Sequence, residues 1–237
     1  MRISILIPSM QRFSRIDRLR APGQCERCRR WTQGRLCSDC CPPEAATRCP
    51  GCGLRLAVAG APCGACLAHP LPLHHCHCAV DYAPPWDHLI VQFKYHGAVD
   101  LADALSLRLA DALPAGAAAA VDIVLPMPLS RERLAERGYN QAWELARRVA
   151  HRHRLKANAL ALQRPVHRDP QAGLDRAERR RNLRGVFTVP RPRQVAGGHV
   201  ALVDDVMTTG ATLAEAAQAL LDAGAASIQA WVLARTP

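Results

Sequence analysis

The chain has 237 residues, 49% of them hydrophobic and 22% charged, with a mean hydropathy of −0.09. That length suits one full-sized core domain plus a smaller module. No run approaches the ~18 apolar residues of a membrane span, which excludes membrane insertion. A formal net charge of +11 points to an anionic partner; it is unevenly placed, residues 1–70 holding 11 arginines against 4 acids.

In chain order, the opening "MRISILIPSM" is too short an apolar run for a secretory signal, and charged "QRFSRIDRLR" follows directly. A cytoplasmic location is therefore expected. Eleven cysteines in such a chain point to metal binding rather than disulfides. Four C-x-x-C pairs run in succession: Cys25/Cys28, Cys37/Cys40, Cys49/Cys52 and Cys63/Cys66. Zinc takes four thiolates tetrahedrally, and two such knuckles supply them, in closed sites with a structural role. Sequential pairing gives one site from Cys25, Cys28, Cys37 and Cys40, and a second from Cys49, Cys52, Cys63 and Cys66. The spacing alone does not exclude interleaved pairing. Four redox C-x-x-C motifs in a row, with almost no core-forming residues around them, are the weaker alternative. Each four-thiolate zinc carries about −2, so two sites take the +7 of residues 1–70 to about +3 and weaken a nucleic-acid reading. The aromatics, at 4% of the chain, are few for a base-stacking platform.

Cys41, Cys76 and Cys78 are left over. "HHCHC" at 74–78 resembles a metal-ligand cluster, but "CHCAVDY" reads better as a strand that buries its cysteines as small apolar residues. From residue 79 the pattern is that of an α/β domain. "WDHLIVQFKY" and "VDLADALSLRLADAL" read as amphipathic helices, "PAGAAAA" as a loop, and "VDIVLPMP" as a short buried strand. Charged "LSRERLAERGYN" precedes the helix "QAWELARRVAHRH"; "LALQRP" and "GVFTV" read as strands, and "VPRPRQVAGG" as a turn-rich connection. "HVALVDD", "TLAEAAQALLDAGA" and "SIQAWVLAR" then form a β-α-β unit. Apolar strands alternating with helices imply a parallel sheet flanked by helices.

The stretch "VALVDDVMTTGATL" at 200–213 carries the sharpest signal. Thr208, Thr209, Gly210, Ala211 and Thr212 form a small-residue turn at a helix start, where unpaired amides and hydroxyls favour a phosphate. Asp204 and Asp205 precede it on the strand tip. They suit neighbouring hydroxyls or a divalent cation. A diol and a phosphate on one short carbon framework describe a ribose 5-phosphate.

At these residues the sequence resembles the phosphoribosyl pyrophosphate (PRPP) signature of type I phosphoribosyltransferases. The order of motifs is similar to the ComF family of competence and DNA-utilisation proteins: the four C-x-x-C pairs, "FKYHG", "PMPLSRERLAERGYNQA", "QAGLDRAERRRNLRGVF" and the PRPP loop. The resemblance implies a double zinc ribbon over residues 21–70 and a phosphoribosyltransferase-like domain over 79–237. Residues 1–20 are longer and more basic than the usual start and read as an extension. It further implies that Asp204 and Asp205 hold ribose hydroxyls and Thr208 to Thr212 the 5-phosphate. The loop after the strand at 122–126, with Met127 and Pro128, would face pyrophosphate and its Mg²⁺, with Arg133, Arg137 and Lys94 as cationic contacts. Arg179, Arg180, Arg181 and Arg184 fall where type I enzymes carry a catalytic flap. Implied partners are PRPP or a related ribose phosphate, single-stranded DNA and the DNA-uptake machinery. The implied activity is phosphoribosyl transfer to an acceptor no motif identifies, or a non-catalytic adaptor or sensor role.

Overall fold

The apolar runs and amphipathic stretches become, in the computed structural model, a parallel α/β sheet joined by helices. The structure describes residues 23–40, 46–58, 61–165 and 185–237. The readings of residues 1–20, of Cys41 and of the arginines at 179–181 and 184 lie outside them. Among the described residues, the strands are β1 (Gly23–Gln24), β2 (Trp31–Thr32), β3 (His75–Asp81), β4 (Ile123–Pro126), β5 (Lys156–Ala157), β6 (His199–Met207) and β7 (Ser227–Arg235). The helices are α1 (Gly64–Ala68), α2 (Trp86–Tyr95), α3 (Leu101–Asp111), α4 (Arg131–Arg137), α5 (Gln141–His153) and α6 (Ala211–Asp222).

The chain divides into two compact units, 1–41 and 42–237. Sequence reading gathers both cysteine clusters into residues 21–70, whereas the units divide between the clusters. In the smaller unit β1 pairs antiparallel with β2, Gly23 opposite Thr32. In the larger unit five strands lie in the order β3-β7-β6-β4-β5, all parallel.

Side chains alternate across this sheet. Ile228, Ala230 and Val232 of β7 pack with Val200 and Leu202 of β6, with Leu213, Ala216 and Leu220 of α6, and with Cys49, Cys52 and Cys66. On the other face the fully buried Trp231 meets His153 of α5, ring centroids 6.5 Å apart. Right-handed crossovers put the helices of β4-α5-β5 and β6-α6-β7 on opposite faces, because the two connections run toward opposite edges. Buried polar groups are answered locally: Trp231 Nε1 donates to Gln229 Oε1 at 3.0 Å.

Two sequence readings need correction. "LALQRP" and "GVFTV" are not sheet strands: only Gln163 and Thr188 pair, as an isolated antiparallel bridge. Ala161 with Leu162, and Val186 with Phe187, are buried as adjacent pairs against the core, which yields a short apolar run without a ladder. The edge strand is instead Lys156–Ala157, beside Ile123–Val124. The charged stretch after β4 folds into α4. Ser130 caps it by accepting from the Arg133 N–H at 3.4 Å, and Gly138 ends it in the left-handed region at φ +75°.

The strand order reverses its sense of connection between β4 and β6, and such a switch point opens a crevice beyond the strands' carboxyl ends. β4 pairs with β6 only as far as Pro126 opposite Val203. Beyond that point no described strand pairs with β6 on that side, and its next two residues are Asp204 and Asp205.

Candidate functional site: a cleft at the switch point

A cleft of about 260 Å³ opens there. Asp204, Asp205, Thr208, Gly210, Ala211 and Thr212 line it from β6 and the turn after it, Met127, Pro128, Arg133 and Arg137 from the segment after β4, and Lys94 from α2. The fold therefore brings together both groups of residues singled out in sequence, 67 or more positions apart, with one exception. Thr209 does not line the cleft; its Oγ1 accepts from the Ala211 N–H at 3.3 Å, closing the turn.

The carboxylates are not equivalent. Asp205 is 7% exposed, and the Lys94 ammonium lies 3.1 Å from its Oδ1. Lys94 thus answers a carboxylate in this state. No ion pair holds Asp204 among the described residues; its Oδ1 accepts the Asp205 N–H at 2.9 Å. Desolvation, followed by the neighbouring Asp205 charge, pushes the Asp204 carboxyl well above the usual range, and Lys94 only partly opposes this.

The turn that follows is built around Gly210, at φ +79°. A Cβ there would stand 2.4 Å from Met207 Cε and 2.9 Å from Leu71 Cδ1. Only glycine combines that conformation with that closeness. Its carbonyl accepts the Ala214 N–H at 2.9 Å and opens α6, whose first-turn amides have no partner within the helix.

The opposite wall is fixed by a few polar links. Asn140 caps α5 by accepting the Trp143 N–H at 3.2 Å, and its Nδ2 donates to the Met127 carbonyl at 3.0 Å. The Tyr139 hydroxyl donates to the Phe93 carbonyl, and Gln141 Nε2 to that of Lys94 at 3.4 Å. These links set the end of α2 beside α4, so that Arg137 stacks over the Tyr95 ring at 4.9 Å and donates to Gln141 Oε1 at 3.1 Å. Sequence reading missed Asn140, Gln141 and Arg164, which also line the cleft. An asparagine before "QAWEL" is a cap signal that could have drawn attention to Asn140; nothing local marks Arg164.

The cysteines group sequentially, which settles the pairing left open by their spacing. Cys25, Cys28, Cys37 and Cys40 form one cluster and Cys49, Cys52, Cys63 and Cys66 the other, each with its sulfurs within 4.8 Å of one another. Cys28 and Cys37 Sγ are 3.6 Å apart, as are Cys52 and Cys63. A tetrahedron with metal–sulfur bonds of about 2.3 Å has edges of about 3.8 Å, so both clusters fit a zinc ion. Knuckle amides turn toward sulfur: the Cys37 N–H lies 3.4 Å from Cys25 Sγ and the Cys63 N–H 3.2 Å from Cys49 Sγ. The Arg30 backbone amide and then its side chain bring the Cys28 thiol down to about 6. Cys76 and Cys78 join neither cluster; both are buried on β3, with Cys76 Sγ 3.9 Å from Met207 Sδ. Among the described residues no helix is long and apolar enough to cross a membrane.

Residues 135–237 match the family model of the phosphoribosyl transferase domain. The DNA utilization protein YhgH of Escherichia coli O157:H7 is 37% identical over 228 residues, 92% of this chain and 99% of the relative. Competence protein F of Haemophilus influenzae is 32% identical over 206 residues, 84% of this chain and 90% of the relative. Competence protein ComFC of Bacillus subtilis is 35% identical over 118 residues, 48% of this chain and 45% of the relative. The first two matches run along most of both chains, over a sheet whose switch point carries the D-D and T-T-G-A-T residues, and place this chain in the ComF family of competence and DNA-utilisation proteins.

Proposed function

We propose that the cleft binds PRPP with its Mg²⁺ and that the chain serves the use of incoming DNA, as the names of its relatives suggest. One observation carries the reading. An acid without an ion pair among the described residues, an α6 N-terminus and two arginines surround one small cleft, and no simple ion calls for all three. Asp204 and Asp205 accept hydrogen bonds from ribose hydroxyls; the turn from Thr208 to Thr212 holds the 5-phosphate; Arg133 and Arg137 face the pyrophosphate. In a transfer reaction charge grows on the departing pyrophosphate, and donors already aimed there stabilise it. The acceptor is not identified by any residue described. Zn²⁺ in the two cysteine clusters supplies folding energy, and thiolate sites of this kind suit a reducing cytoplasm.

Isothermal titration with PRPP and Mg²⁺ tests the reading: micromolar-range binding is expected from the wild type and none from Asp204→Ala/Asp205→Ala. Absence of heat with the wild type contradicts it. A screen of bases and amines for pyrophosphate release then separates a transferase from an adaptor.

A second reading, contact with single-stranded DNA, has an observation of its own. Trp31 is 72% exposed and follows exposed Arg29 and Arg30, a cation–aromatic combination on which bases stack. A gel-shift titration across salt checks it. Binding should be strongest at low salt and weaken with Trp31→Ala; no shift at low salt removes the reading.

A further inference from the structure

The bridge between Gln163 and Thr188 places a side chain that the reading above does not use. The two residues exchange both backbone hydrogen bonds at 2.9 Å in antiparallel sense, so Arg164 falls beside Phe187. The guanidinium carbon of Arg164 stands 5.8 Å from the Phe187 ring centroid, and Phe187 is itself anchored in the core at 6% exposure. This two-residue clamp sits outside the sheet, yet Arg164 forms part of the cleft wall with Arg133 and Arg137.

Arg164 Nε is buried without a hydrogen-bond partner among the described residues, and so is Arg137 Nε. Burial, then the like charge of Arg133, lowers the proton affinity of Arg164. A native protein rarely leaves such donors unanswered. Guanidiniums crowded on one wall repel each other unless an anion sits among them. Three planar forks offer more donors than a single phosphoryl group can accept, whereas a diphosphate presents enough oxygens.

We infer that Arg164 is a further anion-binding residue of the cleft, donating to a diphosphate together with Arg133 and Arg137. The identity of that anion rests on the PRPP reading; the demand for an anion does not. Stacking on Phe187 holds the guanidinium in place before the ligand arrives, so little side-chain freedom is lost on binding.

Titration calorimetry on the zinc-loaded full chain tests this with three probes: inorganic pyrophosphate with Mg²⁺, ribose 5-phosphate, and PRPP with Mg²⁺. Arg164→Lys keeps the charge and loses the fork; Arg164→Gln loses both. Weakening of pyrophosphate and PRPP by roughly tenfold in Arg164→Lys, and more in Arg164→Gln, is expected, with ribose 5-phosphate unchanged. Wild-type affinities in both variants, or an equal fall for ribose 5-phosphate, overturn the assignment. If the wild type binds pyrophosphate through Arg164 but neither sugar, the assignment stands and the PRPP reading falls. If PRPP binds and both variants match the wild type, the reverse holds. A wild type that binds none of the three overturns both.

Discussion

Ionisation of Asp204 is opposed by desolvation and then by the Asp205 carboxylate. A carboxyl whose folded value is raised keeps its proton in the native state after the unfolded chain has lost it. Stability is then lost as pH climbs from the ordinary carboxylate range through the raised value. Asp204→Asn should therefore be more stable than the wild type in urea unfolding at pH 8, with the gap closing toward pH 5, while ligand binding weakens. A gap that does not change with pH contradicts the assignment of strain to this residue. At Gly210 the backbone decides. Alanine there must hold φ near +79° and displace Met207 and Leu71. Gly210→Ala should lose about 1–3 kcal/mol in the same assay. Both residues were visible in sequence because strand, acids, turn and helix are contiguous, so local chemistry alone reveals them. Lys94 was visible only as a motif residue. Its partner Asp205 is 111 positions away, and the bond between them depends on how α2 meets the sheet.

The second cysteine cluster underpins the turn from Thr208 to Thr212. The Cys76 N–H donates to the Pro50 carbonyl at 2.7 Å, and Arg235 Nε donates to the Cys52 carbonyl at 3.2 Å. Arg235 also reaches the Met207 carbonyl at 3.5 Å, and Met207 is the residue packed against Gly210. Gly53 lies so close to β3 that a Cβ would stand 2.8 Å from Cys78 Cβ. Structural zinc contributes on the order of 10 kcal/mol, comparable to the whole stability of a typical domain. Cys52→Ser should thus cost one zinc equivalent and unfold the larger unit. Cys28→Ser, in the smaller unit, should cost one equivalent and leave the larger unit's unfolding transition in place. Zinc analysis with thermal unfolding checks both, and equal loss in the two variants contradicts the division. The C-x-x-C rhythm announces the knuckles, but the packing of one of them on β3 is carried by backbone carbonyls and a distant arginine, which leave no pattern. The same limit explains "LALQRP" and "GVFTV". Adjacent buried pairs there mimic a short apolar strand, while Gln163 and Thr188 form only a bridge.

At the scale of the whole larger unit, a parallel sheet with one switch point makes one crevice, and chain order decides which residues face it. Long apolar runs made β6 and β7 legible, and alternation with helices made the sheet parallel on paper. The order β3-β7-β6-β4-β5 was not legible, because strand neighbours are chosen by crossovers rather than by local propensity. That order joins the loop after β4 to the turn after β6, and so puts arginines opposite acids. A crystal grown with PRPP and Mg²⁺ measures this juxtaposition most directly. The account predicts the 5-phosphate on the amides from Thr208 to Thr212, the ribose hydroxyls on Asp204 and Asp205, and the pyrophosphate against Arg133 and Arg137. An empty cleft under saturating ligand, or a ligand bound elsewhere on the chain, would contradict it.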